Sequence, residues 1–303
     1  MTTSEITIAN GAEPRVQFRL ESRSIKLDRR THAVRGDLAD VSLAGVLFAP
    51  HYAKAMPMHC IKPSAFVREK NAASAPAVSQ LLYGEEFHVL DVTGDWAWGF
   101  CGHDGYVGYV LRDALDPVSE APAFRVTSIS APVFASADIK SPVVANLPMG
   151  AIISGTLEGD LIATAHGYVH SRHVTQGTQS AEDYVAVAQR FLGQPYVWGA
   201  RGGGGLDCSG LVQMALGMCG HKVPRDTDMQ REGIGSDIAE GAALQRGDLV
   251  FFPGHVGIMT DGEHILHANA YWMAVVIEPL ADVLARLQAE HEQPIIARRR
   301  IAA

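Results

Sequence analysis

Between Ile61 and about Leu115 the apolar residues fall in short runs broken by Gly and Asp: Leu81–Gly84, Phe87–Val92, Trp96–Phe100 and Gly105–Leu111. Runs of this length with turn residues between them predict a small barrel of short strands. A second cycle comes next, because the layout of Ser74–Gly84 returns in Lys140–Gly150, Gly94-Asp95 in Gly159-Asp160, and Gly108-Tyr109-Val110 in Gly167-Tyr168-Val169. The offset shortens along the chain, and two tandem modules of roughly 55 residues account for it. Pro117–Pro122 links the two modules, and Thr175–Ser180 links the second to the C-terminal portion of the chain. Residues 1–60 are charged and loosely periodic, and Asp40–Phe48 is the one stretch there that predicts a strand.

From Ala181 the period changes. Tyr184, Val185, Val187, Ala188, Phe191 and Leu192 recur at helical spacing until Gly193 and Pro195, predicting a helix over 181–192. A glycine-rich loop, Gly199–Gly205, leads into a second helical stretch, Ser209–Met218. Leu249–Phe252, His255–Thr260 and Glu263–Ala268 then read as strands, with Asp261-Gly262 marking a hairpin. Helices followed by antiparallel strands make an α+β plan. The division is 1–60, 61–117, 118–177 and 178–303.

Composition narrows the function classes. The chain has 303 residues, 47% hydrophobic and 19% charged, which is globular, and 25 basic against 33 acidic residues give a net charge of −8. With Arg298–Arg300 as its basic block, the chain is a poor match for a polyphosphate, so no nucleic-acid partner is expected. No apolar run approaches the roughly 20 residues that a bilayer helix needs, and no membrane partner is expected. Residues 1–10 lack the pattern of a secretory signal, so a cytoplasmic location is the expectation. Four cysteines without a CxxC pair make a disulfide framework unexpected.

The chemistry centres on Gly199–Gly210, which sets Cys208 in the first turn of a helix. Free amide hydrogens and a partial positive charge there favour a thiolate. Cys60, Cys101 and Cys219 sit among apolar neighbours or away from a base and read as packing residues. A nucleophilic thiol wants a base held by a third group, and His255 and His267 lie on the two strands of the predicted hairpin. Strand side chains alternate, so the two imidazoles share a face only if the loop has an odd number of residues. A three-residue loop, Thr260–Gly262, sets His255 opposite His267, whereas a two-residue loop separates them. His264 points away and reads as exposed. A rival reading of Cys208, His255 and His267 is a zinc site with one open position.

Gly193–Gly199, Asp207–Val212, Val223–Thr227 with Gln230, Arg246–Phe252 and His255–Ile258 resemble, in order, the motifs of the NlpC family of cell-wall cysteine peptidases. The tandem modules resemble bacterial SH3-like domains. The resemblance implies a papain-like α+β catalytic domain behind two small all-β barrels, with residues 1–60 outside it. It implies hydrolysis of γ-D-glutamyl bonds to a diamino acid in murein peptides, with Cys208 as nucleophile, His255 as base and His267 as orienting residue, and no cofactor or metal. The order of domains resembles the recycling enzymes that act on released peptides with a free L-alanine amine. That likeness points to Asp207 and Ser209 as holders of the ammonium group, to Tyr106 and Glu85 as the wall supplied by the first module, and to Tyr196 as a group near the oxyanion. Asp207 also suits a helix N-cap. Arg225, Thr227 and Gln230 read as loop and cap residues, and Asp248 as a group that satisfies turn amides. Two rival functions are an amidase that cuts N-acetylmuramoyl-L-alanine and a non-catalytic binder of cell-wall peptide.

Overall fold

The computed structural model describes residues 27–117, 123–177 and 180–301. The first ten residues, on which the reading of export falls, lie outside them, as do residues 118–122 of the first linker and 178–179 of the second. The architecture is α+β: two strand-rich modules, then a six-stranded sheet with four helices.

The first module is a seven-stranded sheet whose spatial order is Ala77–Leu82, Ser64–Arg68, Val107–Leu111, Trp96–Cys101, Glu86–Thr93, Met56–Cys60 and Leu115–Pro117. It curls around Val67, Leu81, Phe87, Val110 and Cys101 and stays open rather than closing as a barrel. Its strand Met56–Cys60 lies before the boundary read at residue 61, because alternation there is masked by Met, Pro and His. The second module splits into a three-stranded and a five-stranded sheet around Phe124, Val133, Ile153 and Val169. The repeat is visible in the irregularities as well as in the strands. A register shift between Val67 and Arg68 recurs between Val133 and Phe134, and the 3-10 turn Arg112–Ala114 recurs as Ser171–His173. Gly84 and Gly150 both turn with positive φ, and a Cβ on Gly84 would lie 2.0 Å from the Ile152 carbonyl oxygen of the second module.

Within residues 27–55, the strand expected over 40–48 does not extend past Asp40. Asp40 accepts from the Ser42 N–H at 2.8 Å and caps a 3-10 turn, Val41–Leu43, so the extended backbone ends at Asp40. The segment lies on the outer face of the first sheet, where Ala33 packs against Leu90 and Trp98 and the Arg35 guanidinium sits 4.6 Å over the Trp98 ring.

The predicted helix over 181–192 shortens to α1, Tyr184–Gln189, because Asp183 caps it and the chain turns at Gly193 with φ +79°. Helix α2, Cys208–Met218, is buried almost throughout, as an apolar run with no polar face requires. Helix α3 is Thr227–Gly233, and α4 is Leu280–Leu287. The sheet runs Ser236–Asp237, Ala297–Arg300, Leu249–Phe252, His255–Met259, His264–Asn269 and Ala274–Pro279. Leu211, Val212 and Ala215 of α2 share one core with Val256, Ile258 and Leu266, while α4 covers Val250, Met259 and Ile265 on the other face.

Candidate active site

The loop before α2 is shaped by two backbone demands. Gly199 has φ +78°, and its N–H donates to Asp207 Oδ2 at 2.8 Å. A Cβ there would lie 2.7 Å from the Ala77 Cβ of the first module, so glycine is required by both torsion and contact. Asp207 caps α2, accepting from the Gly210 N–H at 2.7 Å. Cys208 is thereby the first helical residue, 6% exposed. Burial, and then the Asp207 charge, push its thiol up, while hydrogen bonds from the Val256 N–H, the Thr227 hydroxyl and the Ser209 N–H oppose them. The resting sulfur is a thiol. The Val256 bond also sets Cys208 beside the start of the strand His255–Met259.

His255 and His267 share a face. The pairing Met259 with Ile265 leaves five residues, 260–264, in the hairpin, an odd number but two more than the three-residue loop that sets the imidazoles directly opposite. His255 therefore stands diagonal to His267, and His255 Nε2 is 2.9 Å from His267 Nδ1. The row continues onto the next strand. Val276 faces His267, and the diagonal neighbour Glu278 places Oε1 2.9 Å from His267 Nε2 and accepts from Arg286 as well. A carboxylate only accepts, so His267 Nε2 carries the proton and Nδ1 accepts from His255 Nε2–H. His255 Nδ1 is left with its lone pair free, as a base needs. Burial, and then His267, depress the His255 pKa to about 3, against the Glu278 charge that raises it, so the ring is neutral across the ordinary pH range. The zinc reading of Cys208, His255 and His267 finds no support in this arrangement, since the two facing nitrogens bond each other.

Cys208, Asp207, Ser209, Tyr106 and Trp198 line one cleft of about 410 Å³, together with Arg225 and Asp226. Residues 193–285 match the NlpC/P60 family, and residues 67–115 match the bacterial dipeptidyl-peptidase SH3 domain. The chain carries an NlpC/P60 domain. It is 26% identical over 233 residues to the γ-D-glutamyl-L-lysine dipeptidyl-peptidase of Bacillus subtilis, covering 68% of this chain and 77% of that one. It is 25% identical to dipeptidyl-peptidase 6 of Lysinibacillus sphaericus, covering 64% and 81%. A solved NlpC/P60 family protein from Bacillus cereus superposes with a TM-score of 0.69 at 19% identity, covering 82% of this chain and all of that one, which shows a shared fold.

Three of the residues singled out in the sequence stand differently from their expected roles around the NlpC/P60 domain. Asp207 is no free anchor for an ammonium group. Its two oxygens accept from Gly199 N–H, Gly210 N–H and both terminal nitrogens of Arg225, a fully buried guanidinium that also donates to Ser209 Oγ at 2.7 Å. Arg225, read as a loop residue, is thus the counter-ion that makes a buried Asp207 tolerable. Glu85 does not reach the cleft: it accepts from Leu82 N–H at 2.9 Å and pairs with Arg201 at 2.8 Å, against a separate cavity. Tyr196 packs against the core around Cys208 outside the residues that line the cleft, its phenol pushed up by burial and then by Cys208.

The cleft has a carboxylate that the sequence reading passed over. Asp226 Oδ2 accepts from the Tyr106 hydroxyl at 2.9 Å and from Arg30 Nη1 at 2.9 Å. Arg30 belongs to the N-terminal segment and also clasps Asp28 and Asp228, while the Val107 N–H donates to its carbonyl at 2.7 Å. Three carboxylates surround the one Arg30 guanidinium, and Arg225 and Arg231 also line the cleft. Asp226 stands in the quoted Val223–Thr227 motif, but nothing in one sequence tells its open carboxylate from the closed one of Asp207. Glu278 had no such signal: only the strand register brings it to His267.

Proposed function

We propose that the protein is a cytoplasmic cysteine endopeptidase of cell-wall recycling. It hydrolyses the γ-D-glutamyl bond to a diamino acid in small murein peptides whose N-terminal L-alanine carries a free amine. The observation that carries this reading is that the Cys208 thiol and the Tyr106–Asp226 pair open into the same cleft, so a nucleophile and a cation-binding carboxylate share one short enclosure. The names of the relatives support the bond type, and a cleft of about 410 Å³ is of a size for a small ligand.

In this mechanism the substrate ammonium group binds Asp226, with Tyr106 fixing the carboxylate and Ser209 lining the floor. His255 Nδ1 takes the Cys208 proton as the sulfur attacks the γ-carbonyl carbon. The oxyanion accepts from the Cys208 N–H at the start of α2, where the helix leaves its first amides unpaired. The His255 ring, now cationic, is stabilised through His267 by the Glu278 carboxylate and gives its proton to the leaving amine. Water activated by His255 then opens the thioester.

The test is mass spectrometry of products from L-Ala-γ-D-Glu-diaminopimelate and from its lysine and N-acetylated counterparts, with wild-type and Cys208→Ala protein. Release of L-Ala-D-Glu from free-amine peptides alone, abolished by the substitution, is the expected outcome. Equal cleavage of the acetylated peptide overturns the amine requirement, and cleavage of none overturns the peptidase reading. Cell fractionation tests the compartment.

A further inference from the structure

The turn after the strand Trp96–Cys101 holds a cluster that the proposed reaction does not use. Cys101 Sγ, a ring nitrogen of His103 and a carboxylate oxygen of Asp104 all lie within 4.8 Å of one another. Cys101 is fully buried, and the Asp104 side chain is 1% exposed. Both ring nitrogens of His103 are shut off from solvent, and neither makes an aligned hydrogen bond. Such orphaned buried groups need a cause.

A histidinium between two carboxylates is the plain alternative, since His103 Nε2 is 3.2 Å from Asp104 Oδ2 and Nδ1 is 3.8 Å from Glu85 Oε2. It accounts for the charges but leaves both ring nitrogens without a hydrogen bond, Nδ1 because its carboxylate lies too far away. In a tetrahedral zinc site with Zn–N and Zn–O of about 2.0–2.2 Å, the nitrogen and oxygen ligands stand about 3.3–3.5 Å apart. The observed 3.2 Å between His103 Nε2 and Asp104 Oδ2 is slightly shorter than that edge.

We propose that Cys101, His103 and Asp104 bind a borderline-soft divalent cation, with Zn²⁺ the fitting ion for a thiolate, imidazole and carboxylate set. The surroundings suit such a site. Asp104 Oδ1 accepts from the Tyr106 N–H at 2.9 Å, and Oδ2 accepts from Gln213 Nε2 at 2.8 Å, which orient the carboxylate. Glu85 stands on the Nδ1 side of the ring, where an outer carboxylate orients a histidine ligand. His103 lines a cavity of about 790 Å³ between the two modules and the NlpC/P60 domain, next to the cluster. Gln213 lies on α2, and Tyr106 lines the catalytic cleft, so the ion ties the wall of the cleft to the helix that carries the nucleophile.

The experiment uses the full chain as Cys208→Ala, so that the catalytic thiol cannot take the metal. After loading with ZnCl2 and dialysis into metal-free buffer, elemental analysis is expected to find about one zinc per chain, and Co²⁺ in its place to show a thiolate-to-cobalt charge-transfer band. Cys101→Ser and His103→Gln, each added to Cys208→Ala, are expected to lose the band or the ion. Less than about a tenth of an equivalent of zinc in the parent, with no cobalt band, overturns the site whether or not the added variants fold. Full zinc retention by a folded Cys101→Ser variant overturns it too.

Discussion

The Tyr106 hydroxyl donates to Asp226 Oδ2 at 2.9 Å across the boundary between the first SH3-like module and the NlpC/P60 domain. The acceptor also meets Arg30 from the N-terminal segment, so three separate stretches of chain build one carboxylate site. Asp226, partly exposed at the cleft, keeps lone pairs for a ligand, whereas Asp207, which lines the same cleft, is closed by Arg225.

Asp226→Asn keeps the shape and removes the charge. A hydrogen bond to a charged group contributes about 1.5–3 kcal/mol, so kcat/KM for free-amine peptides is expected to fall about 10- to 100-fold. The N-acetylated peptide, which has no ammonium group for Asp226 to hold, is expected to stay uncleaved by both proteins, and steady-state kinetics on the free-amine peptide beside product analysis of the acetylated one checks the contrast.

Glu278→Gln tests the third link of the relay. Without the carboxylate, His267 loses the partner that fixes its tautomer, and kcat is expected to drop about tenfold, a part of what acid–base catalysis supplies. The Glu278 charge raises the His255 pKa, so the acid limb of the kcat/KM profile is expected to move to lower pH. A variant that lost activity through misfolding alone would leave the limb where it was.

The same ring sets a pH dependence of stability. His255 is depressed to about 3 in the fold against about 6.5 in the unfolded chain, so the unfolded state binds more protons between those values. Its contribution is present above the unfolded value and is lost as pH falls from about 6.5 towards 3. Urea unfolding at pH 7.5 and 5.0 is expected to show a loss of stability that is smaller in His255→Gln.

Arg225→Met leaves Asp207 buried and unpaired, and breaking such a pair from one side costs about 3–5 kcal/mol. The double variant Asp207→Asn, Arg225→Met is expected to recover part of that loss. A double-mutant cycle by urea denaturation measures the coupling.

Much of this protein is local, and the sequence by itself determined it. Turn glycines at Gly84 and Gly150 and the short apolar runs marked the tandem modules, because backbone torsion and strand period are written residue by residue. Asp207 before the apolar run of α2 marked a cap and put Cys208 in the first turn. The alternation of strand side chains makes an odd hairpin the condition for His255 and His267 to share a face, and pairing of strands decided it. What only the tertiary structure decided is which polar groups find each other across elements. Glu278 reaches His267 through a diagonal shift of strand register, Arg225 closes Asp207 from a different loop, Glu85 turns away to Arg201, and Arg30 arrives at Asp226 from 196 residues earlier. Charge and hydrogen-bonding capacity are properties of a residue, but whether an acceptor is open or already occupied is a property of the packed chain.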